Sequence, residues 1–332
     1  MAIGLYQMGR YLLVIISIAV SLLTDQSHAT SVACRATMTD IDFGVVDFVN
    51  SALSKTNTGT FTYHCVNNSP VVQHINACFY LRDGAPSSTT TTSLSAMHND
   101  VGSTMLFRLK NAMTGEVWGT RSSQFPVRVA RSLPGNSEVS GNVAINGELF
   151  SNQRSLTAGN YRSRFNTDNA TITWSESTNA IPNTCLEQTA LQPLEFMASA
   201  LITKSCSIST QDIDFGHVTM MDNRNINAQG EITVECTRDT QYRIALRSVN
   251  IKNGQFYLTP ITGGNTESGK IAYFLYQNPA RTLLWSDNGN EKTDQGTGGR
   301  QVHPVYGQVP GRQATSLRSG NYQDTVIVTL SF

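Results

Sequence analysis

One short motif occurs twice in this chain, and that repeat limits its possible folds more than any other feature. Cys34 followed by Asp40-Ile41-Asp42-Phe43-Gly44 lies over Cys206 followed by Asp212-Ile213-Asp214-Phe215-Gly216, and both parts are offset by 172 residues. A second cysteine follows each copy: Cys65 is 31 residues beyond Cys34, and Cys236 is 30 beyond Cys206. Phe107 and Trp118 recur as Phe274 and Trp285 at an offset of 167, and Gly159-Asn160-Tyr161 recurs as Gly320-Asn321-Tyr322 at 161. The slow drift of the offset means that modest insertions separate two copies of one structural unit. A length of 332 residues agrees with two domains.

Each copy reads as strands. Thr60 to Cys65, His74 to Leu81, Met105 to Leu109, Phe125 to Ala130, Val143 to Ile145 and Ala170 to Trp174 are short β-branched or aromatic runs, bounded by Gly, Asn and Pro. The second copy offers Val234 to Cys236, Tyr242 to Leu246, Ile271 to Tyr276 and Thr325 to Phe332. Helical periodicity is missing, so the expected fold is all-β: two tandem immunoglobulin-like antiparallel sandwiches. Composition removes several function classes. Lys plus Arg and Asp plus Glu each number 24, and charged residues are only 14% of the chain, which excludes an electrostatic nucleic-acid binder.

The segment 1–29 has the layout of a cleaved secretory signal. Arg10 precedes an apolar run from Tyr11 to Leu23, and Ser27-His28-Ala29 supplies small residues around a cut after Ala29. Cleavage would remove one charge of each sign and leave the balance unchanged. In an oxidising compartment six cysteines are a disulfide inventory, and no Cys-x-x-Cys pair suggests metal or redox chemistry. The repeat pairs Cys34 with Cys65 and Cys206 with Cys236, which leaves Cys78 for Cys185. The predicted division is a signal at 1–29, an N-terminal domain at 30–196 and a C-terminal domain at 197–332.

The two copies differ after the Gly-Asn-Tyr landmark. In the second, Val326, Val328, Leu330 and Phe332 alternate onto one face of a closing strand. In the first, the matching strand is followed by over twenty residues, including Cys185 and the apolar run Leu191 to Met197. The first copy therefore has room for one more strand, and the second is expected to lack its last strand and to leave an edge unpaired.

The Cys, the Asp-Ile-Asp-Phe-Gly motif, the second Cys and the terminal Gly-x-Tyr-x-Asp-x-Val-x-Val-x-Leu-x-Phe together resemble the spore coat protein U family. In Gram-negative bacteria that family supplies subunits of archaic, Csu-type chaperone-usher pili. The resemblance covers both halves of the chain and is similar to a two-domain tip adhesin. It implies a second domain completed first by a periplasmic chaperone and then by a strand from the adjacent pilin subunit, after passage through an outer-membrane usher. It makes Val326, Val328, Leu330 and Phe332 the acceptor strand. Cleavage after Ala29 would leave only Thr30 to Ala33 ahead of Cys34, too short a strand to donate, which suits a tip position on the cell surface.

The resemblance also implies attachment to abiotic or host surfaces through apolar loops of the first domain. The candidates are Leu94 and Met97 in the loop 84–102, Leu133 and Pro134 in 131–141, and Leu149 and Phe150 in 145–153, where Asn146-Gly147 signals a hairpin turn. Gly44 and Gly216 mark positions of positive φ or close approach. His64, His74, His98, His217 and His303 show no ligand spacing, and no catalytic fingerprint is present, so neither enzyme activity, cofactor nor metal is expected. Trp118, Trp174 and Trp285 read as packing residues before sugar platforms. The other readings are a secreted coat or pilus-shaft protein without adhesive role, and a lectin-like adhesin.

Overall fold

The computed structural model describes residues 31–49, 55–81, 94–119, 126–166, 170–185, 194–219, 223–252, 255–261, 269–313 and 317–332. The expected signal at 1–29, the Ser/Thr tract of loop 84–102, Phe125 and Leu191 lie outside these residues. Among the described residues every regular element is a strand.

The first unit contains β1 (Val32–Met38), β2 (Ile41–Val46), β3 (Thr56–Asn67), β4 (Gln73–Leu81), β5 (Ser95–His98), β6 (Thr104–Asn111), β7 (Val127–Leu133), β8 (Glu138–Leu149), β9 (Gly159–Phe165), β10 (Ala170–Ser177) and β11 (Phe196–Ile202). The second contains β12 (Cys206–Gln211), β13 (Ile226–Cys236), β14 (Gln241–Ser248), β15 (Ile251–Lys252), β16 (Gln255–Pro260), β17 (Ile271–Tyr276), β18 (Lys292–Gln295), β19 (Arg300–Val309), β20 (Tyr322–Gln323) and β21 (Val326–Ser331).

In the first unit a sheet ordered β1-β3-β8-β6-β5-β9-β11-β2 packs on a smaller one ordered β10-β4-β7. The second unit repeats the plan with β12-β13-β19-β17-β16-β15, where β20 joins β16, against β18-β14-β21. Each unit has its own apolar core. The chain is therefore all-β and built from two related sandwiches.

The repeated residues make the same contacts in both units. Cys34 faces Cys65 across β1 and β3, and Cys206 faces Cys236 across β12 and β13; each pair is disulfide-bonded with Cα atoms 4.1 Å apart. Cys78 is bonded to Cys185 and fastens the segment after β10 to β4. The Trp118 indole donates to the Phe79 carbonyl at 2.9 Å, as Trp285 does to Ile244 at 2.9 Å. Tyr161 and Tyr322 each donate their hydroxyl to the carbonyl four residues upstream, at 2.7 Å, the corner that ends a crossing loop in such sandwiches. Trp118, Trp174 and Trp285 are all buried, so none offers a face to a sugar.

The Asp-Ile-Asp-Phe-Gly motif is a turn followed by a packing contact. The Asp42 carboxylate accepts from the Gly44 amide at 2.9 Å, and Asp214 from Gly216 at 2.8 Å, with Gly44 at φ 62° and Gly216 at φ 74°. Only glycine adopts that conformation without steric cost. The Ile and Phe then lie over a pair of glycines in the two central strands. A Cβ at Gly147 would stand 2.8 Å from Ile41 and 2.9 Å from Phe43, and one at Gly307 would stand 2.9 Å from Phe215 and 3.2 Å from Ile213. Gly59 and Gly230 make the corresponding room against Ile41 and Ile213.

Three sequence expectations need correction. The boundary expected between residues 196 and 197 falls inside β11, whose Phe196, Ala198, Ala200 and Ile202 are buried in the first core; the first unit extends to Ile202 and the second begins near Cys206. Asn146-Gly147 is no hairpin turn: β8 runs straight through it, because Gly147 is needed under Ile41 and Phe43. Phe274 is not the partner of Phe107. Phe107 is buried, whereas in β17 the buried residues are Tyr273 and Leu275, and a one-residue shift in a strand reverses the face.

The glycine contacts predict unequal costs. Gly147→Ala should destabilise the first unit by about 1 to 3 kcal/mol, the usual range for overpacking. Gly307→Ala should cost the second unit less, because Phe215 is only partly buried and can move aside. Urea titration of the two variants against the parent chain checks the order.

Candidate functional site

The two units part company at one strand position. In the first, β11 lies between β9, to which it is antiparallel, and β2, to which it is parallel. In the second, β20 takes the place of β9, since it pairs with β16 as β9 pairs with β5. The stretch 212–218 takes the place of β2 but belongs to no strand. Among the described residues nothing occupies the position between them.

Burial records the difference side chain by side chain. Ile41, Phe43 and Val46 are at most 5% exposed, whereas Ile213 and Phe215 are half-buried and Val218 is 39% exposed. Tyr161 is fully buried and Tyr322 is not. Of the expected acceptor residues, Val326, Val328 and Leu330 line the core side of β21 but are only partly buried, while Ile327 faces away. Phe332 lies past the last ladder pair, Arg243 with Ser331, and is 57% exposed. It is not part of the buried row that its alternation predicted. The Trp-anchored register puts Phe332 where the first unit has Trp174, which is 2% exposed. The second core is thus open along a cleft walled by 213–218 on one side and by Tyr322 and β21 on the other.

A polar cluster lies beside that cleft. The Asp324 carboxylate, at the bend between β20 and β21, accepts from Ser248 at 2.7 Å, Asn250 at 3.0 Å and Tyr273 at 2.7 Å. Burial, with the Asp324 hydrogen bond second, pushes the Tyr273 hydroxyl pKa far up, so it stays a donor. Asp324 was visible in the sequence only as one letter of the terminal motif. Its three donors come from β14, the turn after it and β17, which no spacing rule reveals.

The opposite end of the molecule carries the second candidate. β11 ends at Ile202, next to Val46 and Gly159, and leads into the second unit. The far end of the first unit holds the loops 68–72 and 134–137 and the segment 178–182. Val71 is 52% exposed, Val72 45% and Ile181 42%, and Pro70 and Pro134 are also exposed. Buried Asn67 ties two of these loops together by donating to the carbonyls of Val71 at 2.9 Å, Leu133 at 3.2 Å and Pro134 at 2.9 Å. Asn76 holds the third by donating to the Pro182 carbonyl at 2.8 Å.

Most residues chosen from sequence as loop contacts are elsewhere. Met97, Leu133 and Leu149 are at most 1% exposed and belong to the first core, because β5, β7 and β8 extend through the segments read as loops. Leu94 is half-buried beside β5. Phe150 is half-buried under the Arg108 guanidinium, 5.0 Å from its ring centre. Pro134 alone sits on the distal rim. Beside Phe150 charge is internally paired: hydrogen bonds from Arg108 at 2.8 Å and then Lys110 at 2.6 Å hold the pKa of the Glu148 carboxyl down to about 2.

A family model described as the spore coat protein U domain matches residues 20–172 and again 193–329. The chain belongs to the spore coat protein U family. The first match covers most of the first sandwich and ends within β10, and the second covers the second sandwich together with β11 of the first. No curated protein sequence matches this member of the family. Among solved structures, it is similar to the Csu pilus chaperone–tip adhesion subunit pre-assembly complex of Acinetobacter baumannii, at 15% identity and TM-score 0.48, over 90% of this chain and 100% of that one. The CupB6 tip adhesin of Pseudomonas aeruginosa is similar at 10% identity and TM-score 0.37, over 90% and 94%. The CFA/I adhesin CfaE of enterotoxigenic E. coli is similar at 9% and 0.34, over 89% and 92%.

An uncovered strand position in this spore coat protein U chain has a direct readout. Backbone amides in 213–218 should exchange hydrogen at least about tenfold faster than those in 41–46, since only the latter belong to a paired strand. Exchange followed by mass spectrometry of the isolated chain measures both segments together.

Proposed function

We propose that this protein is the exported tip adhesin of an archaic chaperone-usher pilus, attaching bacteria to surfaces and supporting biofilm growth. The observation that carries the proposal is the separation of its two unsatisfied surfaces. The second unit has a cleft shaped for one strand, and the first has an apolar rim at the end farthest from the junction. A subunit with an unfilled strand position suits β-augmentation, in which a neighbour adds an extended segment to an exposed sheet edge, the mode by which pilins complement one another with a donated strand.

In this reading a periplasmic chaperone first covers Ile213, Phe215, Val326, Val328 and Leu330, and an adjacent pilin replaces it after the outer-membrane usher. The first unit does not need a partner, because β11 already completes it. Attachment falls to Pro70, Val71, Val72, Pro134 and Ile181. Each contact is weak at about 25 cal/mol per Å² of apolar surface, so adhesion depends on many pili acting together. A coat or shaft role without adhesion leaves the rim unexplained.

The test separates adhesion from assembly. Val71→Asp with Ile181→Asp should lower attachment to plastic by about an order of magnitude or more, since multivalent binding amplifies small losses, with pilus number by electron microscopy unchanged. Loss of pili instead would assign the rim a structural role. Attachment by the parent should persist from physiological salt to 1 M, where the screening length falls from about 8 to about 3 Å.

A further inference from the structure

We infer that the cleft of the second unit selects a strand by side-chain order: seven residues running parallel to 213–218, with core-facing positions that read large, small, small, aliphatic from N to C. This rests on the donor-strand reading and specifies which strands fit. The first unit contains its own occupant as a template. β11 turns Phe196, Ala198, Ala200 and Ile202 inward, and all are at most 4% exposed.

Each of these positions has walls that can be compared. Ala198 lies beside Ile41 of β2, and Ala200 lies opposite Tyr161 of β9. The second unit repeats those walls as Ile213 and Tyr322, with Phe215 in the place of Phe43. Equal walls leave equal space, so a side chain larger than alanine at either middle position has to displace an Ile or a Tyr. Ile202 sits between Gly159 and Val46, which recur as Gly320 and Val218. At the leading position Phe196 stacks on Phe165 at 4.3 Å and on Trp118 at 6.1 Å. Trp118 recurs as Trp285, but the chain that follows Tyr322 has already crossed to the smaller sheet by Val326, which pairs with Ser248, so among the described residues no aromatic side chain takes the place of Phe165. The leading pocket therefore accepts a side chain of at least phenylalanine size.

Direction follows from the same template. A strand parallel to 213–218 and antiparallel to Tyr322–Gln323 meets both edges as β11 does. Reversal puts the aliphatic end against Trp285 and the large end against Gly320, and a slip by one residue turns every inward group outward.

The experiment uses the full mature chain with a strand fused after Phe332, through a flexible linker as long as the 178–195 connection. Hydrogen exchange at 213–218 is the readout, and exchange at 41–46 reports that the first unit is undisturbed. A copy of Phe196–Ile202 should slow exchange at 213–218 at least tenfold. The same copy with both alanines changed to leucine, or with the order reversed, should leave exchange at the unfused rate. Equal protection by all three strands overturns the selectivity while leaving strand acceptance intact. Failure of all three, together with an alternating Val-Thr strand, overturns strand acceptance itself.

Discussion

The packing of one isoleucine and one phenylalanine over two glycines governs each half of this molecule. Ile41 and Phe43 approach Gly59 and Gly147 so closely that no side chain fits between them, and Ile213 and Phe215 repeat the arrangement over Gly230 and Gly307. The contact draws the segment after the first strand across the central strands and presents its outer edge to whatever lies beyond. In the first unit that edge meets β11 and the sheet curls nearly closed. In the second it meets no strand among the described residues.

From that difference comes the division of labour. The core of the first unit is covered by its own strand, and Asn67 and Asn76 hold the loops that carry Val71, Val72 and Ile181 at its far end. The second unit leaves Phe215, Val218 and the inner row of β21 partly open, and Asp324 ties the bend before β21 to Ser248 and Tyr273. The open cleft and the apolar rim consequently belong to different units. The link between the units is short: β11 passes through Thr203 to Ser205 into β12, and Ser205 donates to Asp47 at 3.0 Å while Arg154 pairs with Glu235 across the junction.

The legible parts of the fold were those written in repeated or alternating residues. Cys34, Trp118 and Tyr161 each have a counterpart in a matching role, because a duplicated core keeps the residues that fill it. Most strand positions followed from alternation. β2 and β11 were harder: the segment of β2 stood out as a repeated motif and not as an alternating run, and β11 begins inside a segment whose apolar run pointed to 191–197. The surface residues were read poorly. Met97, Leu133 and Leu149 are apolar residues beside turn signals, and nothing local distinguishes a strand end that points inward from a loop that points outward. The true rim residues, Val71, Val72 and Ile181, sit in short segments far apart in the chain.

The sequence by itself determined that there are two copies of one β-sandwich, which cysteines face each other within each copy, and that the charges of the chain balance. These follow from composition and from residues that recur at nearly fixed spacing. Only the tertiary structure decided that the open strand position lies between Tyr322 and 213–218, that Phe332 stays outside the core, and that Val71, Val72 and Ile181 come together at the far end of the first unit. Those outcomes depend on which strand edges meet and which loops converge, and such meetings join residues more than a hundred positions apart that no local pattern connects.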